Sequence, residues 1–578
     1  MRARNSVRPF SIILLVALLL LPFPGIVQAG KGTPETPTIT VLPPVPNVEI
    51  APQSLPPIPA KGVPGRLEDA LAQLVAARRA ADSAKLSALA ANPHMDLAGE
   101  SVRVILEMAI PIEAQTVTGS TQEVIELPTG QRATIEHAPS VSINPIMAAM
   151  IEGTGATYET AYANLVQVLA PFGSLEPLSD LPGVSYVRLP YPAQQLELQA
   201  RGNAAPAAPQ VGAQTSEGVV VTGANVWQGA GYNGAGVSLA VFDFGFTGWA
   251  ARQAAGDLPS GGQLVSKDFS ASYEFNPDTA GQQHGTACAE IAYDMALGSM
   301  VYLYAWNTDV EFANAVNDYI TNPAITGKKV ATMSIGFVNA GPYDGTGSIN
   351  TIVNNAQAAG ILWANSAGNN QKAHWSGTAT RLLSTETVAF GTGNVEGIGP
   401  TPGSVWNIAS GTSLEIFLEW NDWNAGRTGN QSHIDYDFYL VKWNGSTWAT
   451  VASSTTRQCT ATASPTEAIS YATSGATNPY YGVVIQRYTT ISCPNNFGHW
   501  LQLHSFLGAG ASNFFWYVNE CNSLMIPADD DSAVTVGATF WNEDGTASLF
   551  GLEPFSSQGP RNADGGAARG RRSTNPTS

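Results

Sequence analysis

Residues 237–246 read VSLAVFDFGF. The run 237–242 is apolar with one serine, and its length predicts a buried strand that stops at Asp243. Apolar runs follow at regular intervals on its C-terminal side. The spacing predicts a helix over 284–296, with Cys288, Ile291 and Met295 on one side, then a strand over 300–306 and a helix over 310–320. A strand over 329–335, a helix over 350–359 and a strand over 361–365 complete the series. Strands alternating with helices over short loops predict an α/β fold with a mostly parallel sheet and helices on both faces. In such sheets ligands bind outside the carboxyl ends of the strands.

Four features stand at those ends. Asp243 closes the first strand, and His284 opens a helix 41 residues later in QHGTACAEI. Ser334-Ile335-Gly336 ends the strand at 329–335, and Asn369 lies in SAGNN after the last one. Taken singly, a strand-end aspartate is often a helix cap and a lone histidine a packed residue. Together and in this order they read as a constellation.

The motifs resemble those of the subtilisin-like serine peptidases. HGTACAEI is similar to that family's histidine motif, ATMSIG (331–336) to its substrate-binding strand and ANSAGN (364–369) to its oxyanion segment. NSLMIPADDDSAVTVGA (522–538) and PFSSQGP (554–560) continue the likeness, which covers about 217–380 and 522–560. The resemblance implies peptide-bond hydrolysis through an Asp-His-Ser triad acting on a polypeptide substrate, with no cofactor. Asp243 would hold the tautomer of His284, and His284 would move the proton. Asn369 would donate to the oxyanion. Ser334, Ile335 and Gly336 would pair with the substrate backbone as an added strand.

The family's serine opens a buried helix from a Gly-Thr-Ser motif, and no such motif is present after Pro560. The 18 residues that follow, RNADGGAARGRRSTNPTS, carry four of the 27 basic residues and almost nothing apolar. Gly411-Thr412-Ser413 spells the tripeptide, but Leu414, Ile416, Leu418 and Trp420 then alternate, which predicts a strand. Ser413 and Ser366 are therefore poor nucleophiles. The chain as written is expected to be inactive or nearly so, with 561–578 an aberrant basic tail that replaces the last peptidase segment.

Between 381 and 521 the α/β rhythm stops. Strand-like runs at 414–420, 436–441, 481–486, 500–506 and 513–518 are separated by turn residues and predict an inserted β-sandwich, similar to the jelly-roll-like inserts of some subtilases. Seven of the 13 tryptophans fall here, from Trp406 to Trp516, and the expectation is that they mainly fill the insert's own core. A calcium site is left open at Asp435 and Asp437, although exposed alternating carboxylates account for the pair equally well. Cys459 and Cys493 suit a disulfide in an exported protein. For Cys288, four residues after His284 on the same helix face, burial is the leading reading and a bridge to Cys521 the alternative.

The N-terminal side reads as a series of units. Residues 1–29 have a basic start, ten unbroken apolar residues (12–21) and Val27-Gln28-Ala29, the layout of a cleavable signal peptide. A secreted protein with no membrane segment after signal cleavage is expected. Residues 30–65 form a proline-rich linker, with ten prolines from Lys31 to Pro64. Residues 66–195 predict a small α+β domain with strands at 102–108 and 184–189 and helices near 67–75 and 158–169. Small polar residues fill a linker at 196–216, of the kind that proteases cut. A small domain joined by a cuttable linker to the peptidase core (217–380 and 522–560) suggests a propeptide-like partner within the same chain.

Composition narrows the alternatives. Of 578 residues 27 are basic and 45 acidic, a formal charge of −18. Such a chain repels phosphate, which argues against nucleic acid. Gly229, Gly231, Gly234 and Gly236 precede the first strand, whereas a phosphate loop must follow one. The remaining competitor is a non-catalytic binding protein, a dead peptidase scaffold with an aromatic-rich β-sandwich.

Overall fold

A computed structural model describes most of residues 66–195, 215–423, 434–507 and 515–563, with short breaks inside these spans, together with 39–41 and 566. The signal-peptide reading, nearly all of the proline-rich linker, the linker up to 214 and nearly all of the basic tail lie outside the described residues. So do Cys459 and Cys493.

The fold is mixed α/β with more strand than helix. Its centre is an eight-stranded sheet in the order Ala533–Val536, Leu362–Ser366, Lys328–Met333, Val237–Asp243, Met300–Ala305, Leu264–Asp268, Arg132–His137 and Thr121–Glu126. Every neighbouring pair is parallel except the last, an antiparallel hairpin. The strands predicted around Asp243 are thus present and share one direction. Alternate residues of the central strands point to opposite faces. Ala240, Phe242, Tyr302 and Tyr304 pack with Phe312, Val316, Ile349 and Val353 from the helices Asp309–Thr321 and Ser348–Ala358. Val241, Val301 and Leu303 pack with Ala289 of the helix His284–Met295 on the other side. Within that helix the buried positions are Gly285, Thr286 and Ala289, and Ile291 is exposed. Of the side expected from Cys288, Ile291 and Met295, Cys288 packs half-buried against this core, whereas Ile291 faces outward.

The N-terminal unit is a second sheet, Val184–Arg188, Ser101–Met108, Leu165–Pro171 and Thr157–Tyr162, with helices at Asp69–Arg79 and Pro145–Gly153. The helix expected over 158–169 is in fact the antiparallel hairpin of its last two strands, turning at Ala163 (φ 51°). Val166, Val168 and Ala170 face the unit's own core. Gln167, on the opposite face, is buried against the helix Asp309–Thr321, with its Nε2 2.7 Å from Glu311 Oε1. A strand covered on both faces carries apolar residues in both registers, and that pattern also satisfies helical spacing. The hairpin Thr121–His137 leaves this unit and joins the edge of the central sheet. No local pattern announces such a pairing.

The insert is two four-stranded antiparallel sheets face to face. One contains His374–Thr378, Trp500–Leu507, Ser413–Trp420 and Thr466–Ala472. The other contains Glu396–Gly397, Tyr481–Tyr488, Asp435–Trp443 and Trp448–Ser454. Ile416, Leu418, Phe438, Leu440, Val483 and Leu503 fill the space between them. The sandwich begins at His374, a few residues before the expected boundary at 381. The run 513–518 contributes only an isolated bridge, Phe515 to Ile398, among its described residues. Trp420, Trp448 and Trp516 are buried in the insert's own clusters, as expected of core tryptophans.

Candidate active site

Asp243 ends its strand with no exposed surface, and His284 begins the helix beside it. His284 Nδ1 lies 2.7 Å from Asp243 Oδ2. Asp243 Oδ1 accepts the backbone N–H of Phe244 at 2.9 Å and the side-chain amide of Gln195 at 3.1 Å. The helix reaches this position because residue 285 is glycine. A Cβ there would fall 2.7 Å from the Cβ of Asp243, closer than packed carbons come.

Burial lowers the His284 pKa. The hydrogen bond to Asp243, the neighbouring Cys288 sulfur and the Asp243 charge outweigh it and push the value up to about 10. At neutral pH the ring is an imidazolium held by a buried carboxylate. Its Nε2 faces Cys288 Sγ at 3.9 Å. Cys288 and Cys521 form no disulfide, so the alternative of a bridge between them fails. The spacing of four residues signalled that Cys288 shares a helix face with His284. Reading it as a packing residue missed its proximity to Nε2.

The strands Val237–Asp243, Lys328–Met333 and Leu362–Ser366 are parallel neighbours, so Asp243, Ser334 and Asn369 lie along one edge of the sheet. Asn369 is half-buried in the loop after the last strand. Ser557 braces that loop: its Oγ accepts the N–H of Asn370 at 2.9 Å, and its own N–H donates to Gly368 O at 2.8 Å. The segment 555–560 thus packs onto the candidate oxyanion loop through Ser557. Of the serines weighed from sequence, Ser413 opens a sandwich strand. Ser366 Oγ is buried without a hydrogen-bond partner.

The strand Ile335–Phe337 is already paired. Ala193–Gln195 runs antiparallel to it, in the register Ala193 to Phe337, Gln194 to Gly336 and Gln195 to Ile335. Val338 N–H also donates to Pro192 O at 3.0 Å. Ile335 and Gly336, read as substrate-pairing residues, therefore hold the end of the N-terminal unit, and Gln195 brings that end to Asp243. The sequence 193–195 carries no pattern that signals this. On the other side of Gly336, an added Cβ would meet Met525 Cβ at 2.5 Å, and one on Gly368 would meet Met525 Cγ at 2.6 Å. Met525 is fully buried between these two glycines.

A buried polar seam joins the N-terminal unit to the core. Arg188 Nη2 lies 2.7 Å from Asp309 Oδ2, and Arg188 Nε 2.7 Å from Glu107 Oε1. Thr308 caps its helix in a box with Glu311. Gln167 joins that box, receiving Thr308 Oγ1 on its Oε1 at 2.5 Å.

In the insert, Asp435 and Asp437 are fully buried, which removes the reading of exposed alternating carboxylates. Among the described residues, no helix is long and apolar enough to cross a membrane.

No family model matches the chain, and no curated protein matches it. Among solved structures, a similar one is that of the Clostridium perfringens CspB protease, at 12% identity. The match covers 58% of this chain and 75% of that one, with a TM-score of 0.35. A likeness that slight supports no argument about fold or chemistry.

Proposed function

We propose that the chain carries the acid–base pair and substrate cleft of a secreted, subtilisin-like serine endopeptidase, with the cleft filled by its own N-terminal unit. One observation carries the reading. A fully buried Asp243 at the carboxyl end of a parallel strand holds His284 Nδ1 at 2.7 Å, with the candidate oxyanion loop on the same edge of the sheet. In this role Asp243 fixes the imidazole and stabilises its charge, His284 transfers the proton, and Asn369 donates to the oxyanion. Ala193–Gln195 occupies the strand edge where a polypeptide substrate would add.

The nucleophile is the missing part. Neither Ser366 nor Ser413 is placed to serve, and Cys288 stands nearest Nε2 among the partners described. Without an acyl-enzyme the residual rate is small. The lack of a placed nucleophile among the described residues keeps the non-catalytic binding protein as the second reading. A fluorophosphonate probe separates the two. The unaltered chain should not be labelled. A chain in which a subtilisin-type Gly-Thr-Ser segment follows Pro560 should be labelled, with labelling lost in D243A and H284A and reduced in N369A. Labelling of the unaltered chain overturns the inactive reading. A folded, extended chain that stays unlabelled overturns the peptidase reading.

A further inference from the structure

The insert contains a second cluster with no part in this chemistry. Asp435 and Asp437 lie on the strand Asp435–Trp443, and Glu467 comes from Thr466–Ala472 of the opposing sheet. One carboxylate oxygen from each falls within 4.8 Å of the other two. All three residues are almost fully buried. Gathering three carboxylates away from water is costly unless opposite charge is supplied.

The surroundings add oxygen atoms. Gln458, 1% exposed, gives its Nε2 to Glu467 Oε1 at 2.9 Å, and its Oε1 is buried with no hydrogen-bond partner. Tyr439 shares the strand face of Asp435 and Asp437. Its hydroxyl is buried and without a hydrogen-bond partner. Across the strand pair, Gln486 stands opposite Asp437, with its own Oε1 buried and without a partner. An amide whose nitrogen is satisfied while its oxygen is not, beside converging carboxylates, is the arrangement that a cation completes.

We propose that Asp435, Asp437, Glu467 and the Gln458 carbonyl form a calcium site that fastens the two sheets of the insert together. The donors are all oxygen, which selects a hard cation over zinc or copper. Calcium–oxygen bonds of roughly 2.4 Å put opposite ligands about 4.8 Å apart, and the three carboxylate oxygens lie no farther than that from one another. Magnesium keeps several waters and binds through one or two carboxylates, and a dry three-carboxylate cage suits it poorly. Glu467 and Asp435 belong to different sheets, so the ion would add a cross-link to the apolar packing between them and to the hydrogen bond that Ser454 Oγ donates to Glu467 Oε2. The inference is independent of the peptidase reading.

The test uses the full chain, stripped with chelator and desalted. Equilibrium dialysis against radioactive calcium should give one tight ion per chain, with a dissociation constant on the order of 10⁻⁴ M or below. Calcium should raise the melting temperature, and magnesium should be at least about tenfold weaker. D437N and E467Q should each weaken binding tenfold or more. Q458L, which keeps every charge, should weaken it severalfold and covers the case in which the charge variants fail to fold. Absence of stoichiometric calcium binding to the unaltered chain overturns the proposal. Binding that survives both Q458L and whichever charge variant folds overturns the location.

Discussion

His284 stands between Asp243 Oδ2, 2.7 Å from its Nδ1, and Cys288 Sγ, 3.9 Å from its Nε2. The buried carboxylate fixes the ring and favours its charged form. The sulfur occupies the neighbourhood of the nitrogen that, in the proposed reaction, would exchange a proton with a nucleophile. A ring held as imidazolium at neutral pH is a proton donor, and to act as a base it must first lose that proton.

The His284 ring should therefore titrate far above an ordinary histidine. Side-chain NMR should place its pKa near 10, with C288A lowering it and D243N lowering it further. The folded value exceeds the unfolded one, about 6.5, so the associated stability is complete below pH 6.5. It is lost as pH rises through about 10. Denaturant midpoints between pH 7 and 10 should fall less steeply in H284Q than in the unaltered chain. A His284 pKa near 6.5 would refute this account of the site.

Gly285 should tolerate no side chain. In G285A the new methyl meets the backbone oxygen of Gly245 and, at 2.7 Å, Asp243 Cβ, so the helix start, the turn at Gly245 or Asp243 must move. A loss of about 1–3 kcal/mol in stability is expected, together with a His284 pKa displaced toward the ordinary range. Calorimetry and NMR on the same sample read both. Unchanged titration in a folded G285A protein would show that helix placement does not set the pair.

The central sheet and its Asp243–His284 pair were legible because their signals are local. Residues 237–242 form a continuous apolar run, and Asp243 and His284 sit at element ends. What stayed hidden depends on distant partners. Thr121–His137 joins the central sheet only through parallel pairing with Leu264–Asp268. Ala193–Gln195 acquires meaning only against Ile335–Phe337. Glu467 and Gln458 have no sequence relation to Asp435 and Asp437. The Thr157–Pro171 hairpin misled because burial on both faces erased the period-two alternation that marks a strand.

The buried pair Arg188 and Asp309 should control how firmly the N-terminal unit is held. R188A leaves Asp309, itself 1% exposed, without its main cation, and should cost about 3–5 kcal/mol. Hydrogen exchange should accelerate at 193–195 before it does in the central strands, because Arg188 lies five residues from that segment. The apolar replacement R188M/D309L should recover most of the loss. Equal acceleration throughout the sheet would mean that the pair supports the whole fold instead of the docking of one unit.

His504 offers a test of the seam between the core and the insert. Its ring is fully buried between Tyr343, at 5.1 Å, and His374, at 4.9 Å. Neither ring nitrogen has a hydrogen-bond partner. Burial, then the nearby His374, holds its pKa well below the usual value, and burial lowers His374 itself to about 4. Both rings are neutral in the folded protein. Below pH 6.5 the unfolded chain takes up protons that these rings refuse, so stability is lost as pH falls. H504F keeps an aromatic ring in the stack and removes one of the titrations. Its melting temperature should match the unaltered chain or exceed it at pH 8, because a polar group without a partner is replaced by an apolar one. At pH 5 the gain should be larger. A drop of several degrees at pH 8 would mean that the imidazole nitrogens are satisfied, by water or otherwise, and would remove the acid-sensitivity argument for this seam.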